Sequence, residues 1–225
     1  MFPRKFCYTL LFAVSGIASA SSLSYSGKLD PNNANDVFLA SFSLSSASDL
    51  HFQTWGYGGT VNAPGGTNAI GSVILAGGFD PYLTLFTGSG PGATFLASND
   101  DGGCGPAAPN PVCADSRLDF GLLAAGTYTL ALTLPNNFSF AENYGSGVLG
   151  DGFINLQADY FDPASQSVRS SAFAVDISTS GRTDAILTAI TPEPASISLL
   201  TTGLLGVIAL AHRSRSLAAS SRKFD

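Results

Sequence analysis

Between Ser21 and Ile190 the hydrophobic residues fall into short runs in which every second position is apolar. Each run ends at glycine, proline, asparagine or aspartate. That period of two matches a strand with one covered face, and no long stretch follows the 3.6-residue period of a helix. The segment 36–44 (DVFLASFSL) alternates through Val37, Leu39, Phe42 and Leu44. The next, 49–57 (DLHFQTWGY), sets Leu50 and Phe52 inward, with Trp55 as a further inward candidate. Further strands are expected in 81–88, 94–103, 116–134, 152–161 and 172–179, with Tyr128, Leu130 and Leu132 sharing one face. Seven or eight strands about a dozen residues apart predict an all-β chain folded as a β-sandwich.

The two ends of the 225-residue chain break this pattern. Residues 1–20 carry Arg4 and Lys5, an apolar run from Phe6 to Val14, and small residues at Ala18 and Ala20. These are the parts of a secretory signal peptide cut after Ala20, and the run is too short to span a bilayer. At the other end, residues 195–211 form an uncharged run followed by Arg213 and Arg215. As a helix it has about the minimum length for a transmembrane span, with the basic end cytoplasmic. The expected organisation is a signal peptide (1–20), a sandwich (21–190) and a tail (191–225).

Charge sharpens the picture. The whole chain has a net charge of −6, but Ser21–Ile190 holds four basic residues against fourteen acidic ones, a net of −10. Phosphate backbones would repel such a body, which argues against nucleic acid as a partner and leaves room for divalent cations. Export also changes the reading of the cysteines. Cys7 leaves with the signal peptide, and Cys104 and Cys113 are then expected to pair as a disulfide in an oxidising compartment.

The tail carries a specific pattern: Pro192-Glu193-Pro194, then the apolar run, then Arg213 and Arg215. It resembles the PEP-CTERM sorting signal of Gram-negative bacteria. The resemblance implies an exosortase as processing partner, a transient stay in the inner membrane, and delivery to the cell surface or the extracellular matrix. A second resemblance lies in the body. Asp80-Pro81-Tyr82-Leu83-Thr84-Leu85-Phe86, then Asn99-Asp100-Asp101-Gly102, then Leu123-Ala124-Ala125-Gly126-Thr127-Tyr128 are similar to the bacterial pre-peptidase C-terminal domain. That family implies a jelly-roll-like sandwich without catalytic activity, accessory to secreted enzymes. The segment with Cys104 and Cys113 departs from the plain family pattern.

Catalytic patterns are weak by comparison. There is no G-x-S-x-G motif. The single histidine of the body, His51, sits between Leu50 and Phe52, where alternation turns it outward. Gly145 to Gly150 satisfies G-x-G-x-x-G without the strand and helix a dinucleotide site needs, and so reads as a loop. The best candidate site is a divalent cation, calcium, on the hard oxygen donors Asp80, Asn99, Asp100, Asp101 and Asp115. The alternative is ordinary turn chemistry, in which such side chains bond their own backbone. Trp55, Tyr57, Tyr144 and Tyr160 are candidate sugar-stacking rings that would suit extracellular polysaccharide, or else core residues. The function these features imply is a non-catalytic surface or matrix module. A polysaccharide-active enzyme or carbohydrate-binding protein is the alternative.

Overall fold

The computed structural model describes residues 22–57, 65–102, 114–180 and 186–190. The expected signal peptide, the Cys104–Cys113 pair and the whole sorting tail with its span at 195–211 lie outside these residues. Among the described residues no helix is long and apolar enough to cross a membrane.

The chain is all-β, and its main strands form two antiparallel sheets. β1 (Ser22–Lys28), β2 (Phe38–Leu44) and β3 (Ser48–Trp55) come first. The small β4 (Gly66–Thr67) and β5 (Val73–Ile74) pair as a hairpin, followed by β6 (Tyr82–Thr87) and β7 (Thr94–Asn99). Then come β8 (Arg117–Leu123), β9 (Gly126–Thr133), the four-residue helix α1 (Phe140–Asn143) and the hairpin of β10 (Phe161–Asp162) and β11 (Ser167–Val168). The long β12 (Ala172–Ser180) and short β13 (Leu187–Ile190) complete the fold. One sheet has the order β1-β12-β3-β8 and the other β13-β2-β9-β6-β7.

The core lies between these sheets. Phe42, Leu83, Leu85, Leu130 and Leu132 from the five-stranded sheet meet Leu50, Phe52, Leu118, Val175 and Ile177 from the four-stranded one. Phe42 and Phe52 pack across the layers with ring centroids 6.0 Å apart. Residues at i and i+2 of each strand supply this face, as the alternation requires. β9 is buried on both faces, because Phe86, Ala131, Ala141 and Leu149 form a second small cluster behind the five-stranded sheet, under α1 and the turn at 149–151. Among the described residues these pairings and the core run from Ser22 to Ile190.

Most expected strands are present, with several corrections. The segment 152–161 is irregular apart from Phe161 and an isolated bridge from Phe153 to Ser139, and part of its backbone is held by side chains instead of a ladder. Asn155 N–H donates to Asn137 Oδ1, and Gln157 N–H to Asn35 Oδ1. Leu39 turns outward and is 48% exposed, leaving Ala40, Phe42 and Leu44 as the inward set of β2. Trp55 also lies on the outward face, because Leu50, Phe52 and Thr54 are the buried alternate positions of β3. β1 and β13 were not anticipated: one is rich in serine and the other has four residues.

Candidate acidic site beside Asp80

The strands bring the expected acidic residues into one neighbourhood. β6 pairs with β7, with Leu83 opposite Asn99, so the Asp80-Pro81 entry to β6 lies beside the Asn99–Asp101 exit from β7. Asp115 precedes β8 and reaches the same region through an isolated bridge between Gly102 and Ser116.

Local bonding separates these residues into two kinds. Asn99 is a turn former: its Nδ2 donates to the carbonyls of Asp101 (2.9 Å) and Arg117, and its Oδ1 accepts from Asp100 N–H. Asp115 is buried and also structural, accepting from Thr54 Oγ1 at 3.2 Å and Tyr57 N–H at 3.3 Å. Thr54 Oγ1 in turn accepts from Ser116 N–H at 2.7 Å, and Ser116 Oγ donates to the Pro81 carbonyl. These bonds tie the end of β3 to the entry of β6. Asp101 is exposed.

Asp80 and Asp100 behave differently. The Oδ1 atom of each is enclosed without a hydrogen-bond partner. Burial raises the Asp80 carboxyl to about 8, helped by the charges of Asp100, Asp101, Asp162 and Asp115. Burial and then Asp101 raise Asp100 to about 6. Desolvation and like charge both disfavour a carboxylate, so this pair lies where negative charge is least supported.

The sequence reading missed the other half of this neighbourhood. Asp80 lines a small cavity of about 60 Å³ together with Gln157, Asp162 and Arg169. Gln157 Oε1 is likewise enclosed without a partner. Asp162 accepts from Tyr57 Oη at 2.5 Å, Ala164 N–H at 2.9 Å and Ser165 N–H at 3.1 Å. Arg169 sits 4.1 Å above the Tyr57 ring and donates to the carbonyls of Gly78 (2.8 Å) and Tyr57. Burial, then the Asp162 contact, pushes the Tyr57 phenol up. The Arg169 guanidinium thus lines the same cavity as the Asp80 and Asp162 carboxyls, with its hydrogen bonds given to backbone carbonyls. The sequence does signal Asp162, which precedes a proline as Asp80 does.

Chemically, the unpartnered groups are hard oxygen acceptors with no donor aimed at them, which fits calcium better than a soft metal. Among the described residues no three His, Cys, Asp or Glu side chains are gathered closely enough to hold a metal ion. The expected ligands are thus not gathered around one point in this geometry, and Asp80 and Asp100 are the two of them with an enclosed oxygen that lacks a partner.

The other candidates resolve plainly. His51 faces outward, as alternation requires, with Nδ1 2.7 Å from Asp119 Oδ1 across β3 and β8. Although burial works against it, hydrogen bonds from His51 and Arg117 hold the Asp119 carboxyl below its ordinary value. Tyr57 and Tyr160 are buried, and Trp55 donates through Nε1 to Asp176 at 2.7 Å, whereas Tyr144 is 72% exposed. The Gly145–Gly150 segment is a loop whose Ser146, Gly147 and Val148 donate to Asp151.

No family model matches the chain, and no curated protein matches it.

Proposed function

We propose that this chain is a non-catalytic β-sandwich module of the bacterial cell surface or extracellular matrix, stiffened by calcium at the Asp80 cluster. The observation that carries the reading is the pair of enclosed, unpartnered carboxyl oxygens on Asp80 and Asp100, set among three further carboxylates. A bound calcium ion would supply positive charge to this cluster. Asp80 and Asp100 are the residues that would hold it, while Asn99 and Asp115 position the two strand ends by the bonds already described. The two antiparallel sheets are compatible with the jelly-roll-like sandwich of the pre-peptidase resemblance. The Pro192-Glu193-Pro194 tail and its arginines supply the address. An exosortase in the inner membrane is the processing partner, and extracellular polysaccharide the surroundings.

The test is a thermal melt of residues 21–190 at neutral pH with calcium and with chelator. At a hundred times its dissociation constant calcium adds about 2.7 kcal/mol. No shift, or an equal shift in Asp80→Asn, ends the calcium reading. The sorting reading is tested separately, by co-expression of the full chain with an exosortase. The mass of the released product should show the tail removed near Pro192–Pro194, and Glu193→Ala should leave the chain in the membrane fraction.

A further inference from the structure

The β4–β5 hairpin forms one wall of an apolar groove of about 410 Å³. Val73, Ile74 and Leu75 line the hairpin side, and Ala172 and Phe173 line the sheet side. Gly27 and Gly56 also line it and add no side chain. A Cβ on Gly27 would lie 3.2 Å from the Phe173 ring, and one on Gly56 3.6 Å from Ile74, so larger residues there would narrow the trough. Its volume falls within the range of roughly 300–1,000 Å³ typical of small-molecule sites.

The hairpin is anchored. Ala69 N–H donates to the buried Asp176 carboxylate at 2.7 Å, beside the Trp55 and Ser24 donors. Gly66 lies so close to the Trp55 ring that a Cβ would collide with it. Even so, Val73 is 73% and Leu75 81% exposed, so the groove wall continues outward as bare aliphatic surface. A pre-organised wall lowers the ordering cost of binding.

Charge selects the occupant. Lys28 is exposed and lies on the rim of this groove. Of the described arginines and lysines, Arg117 is paired with Asp119 and Arg169 is bonded to backbone carbonyls, whereas Lys28 forms no ion pair among the described residues. An apolar trough with one uncommitted cation at its rim complements an acyl chain that ends in an acid. We propose that this groove binds a single-chain fatty acid, with its chain against Val73, Leu75 and Phe173 and its carboxylate at Lys28.

Calorimetry on residues 21–190 tests this with dodecanoate below its micelle concentration, with dodecanol and with phosphatidylcholine vesicles. Saturable one-to-one binding of dodecanoate is expected. Lys28→Ala should weaken it roughly fivefold, the scale of an exposed ion pair, without changing dodecanol. Val73→Asp should abolish binding of both. Because Val73 is mostly exposed, that variant should melt at the wild-type temperature, which separates lost binding from lost folding. Absence of saturable binding, wild-type affinity in Val73→Asp, an unchanged dodecanoate affinity in Lys28→Ala, or binding to vesicles alone would each overturn the proposal.

Discussion

Asp80 and Asp162 both precede a proline, and both line the cavity beside Arg169, yet their carboxyls are pushed in opposite directions. Burial drives Asp80 up to about 8, with Asp100, Asp101, Asp162 and Asp115 adding to it. Burial also works against Asp162, but hydrogen bonds from Ser165, Tyr57 and Ala164 outweigh it and hold that carboxyl below its ordinary value. Proximity to other acids is shared, so the difference lies in the donors. Asp162-Pro163 opens a turn whose N–H groups fold back onto the carboxylate. Asp80-Pro81 runs straight into β6, and the proline beside it has no N–H to give. A buried carboxylate is thus structural where the backbone turns back onto it, and holds its proton more tightly where the chain goes on extended.

The largest expected effect separates the two directly. Asp162→Ala strands Tyr57 Oη and the Ala164 and Ser165 N–H groups in a poorly solvated site. It should lower stability by about 3 kcal/mol, read from urea unfolding. Asp80→Asn removes a charge and no hydrogen bond that Asp80 accepts, so in chelator at pH 8 it should leave stability unchanged or raise it. Equal losses in the two variants would dissolve the distinction.

Acidity gives the next effect. A carboxyl raised from 3.8 to about 8 binds its proton more tightly in the folded state than in the unfolded state. The stability this contributes is complete below the unfolded value near pH 4 and is lost as pH rises through about 8. In chelator the free energy of unfolding should therefore fall between pH 4 and 8, by at most about 1.4 kcal/mol per pH unit from Asp80. Asp100 adds to the fall up to about pH 6. On the proposed calcium reading the ion would compete with the proton, so any stabilisation by calcium should grow across the same window and disappear in Asp80→Asn. A pH profile that Asp80→Asn leaves unchanged would assign the slope elsewhere.

What the sequence revealed follows from the same contrast between local and distant causes. Alternation located β2, β3, β6, β7, β8, β9 and β12, because a half-covered strand writes its period into its residues. β1 escaped notice since its burial comes from β12, some 150 positions away in the register Ser22 to Ser178. Segment 152–161 has the apolar content of a strand, but Asn137 and Asn35 claim the N–H groups of Asn155 and Gln157, and no periodicity announces that. Asn137-Phe138-Ser139 has the N-x-S form of an N-glycosylation sequon, and that pattern is equally silent about burial. The sequon asparagine is buried, with Nδ2 donating to the Asn35 carbonyl at 3.0 Å, so its amide is committed to structure. For the acidic site, the sequence reading located Asp80 and the Asn99–Asp101 turn. It did not reveal that Asn99 is consumed by the turn, or that Asp162, Gln157 and Arg169 complete the surroundings, because those contacts join segments far apart in the chain.

The smallest expected effect tests the same rule at the surface. Asp119 has hydrogen-bond partners too, at 2.7 Å from His51 and 2.9 Å from Arg117 Nε, but it is nearly half exposed. Water there competes for every bond, and salt screens the pair with Arg117. Asp119→Asn should therefore change stability by less than about 1 kcal/mol, and the change should shrink further in 1 M salt. Partner count alone would rank Asp119 with Asp162; burial ranks it far below. A loss for Asp119→Asn comparable to that for Asp162→Ala would mean that partner count, and not the enclosure of those partners, sets the worth of a carboxylate in this fold.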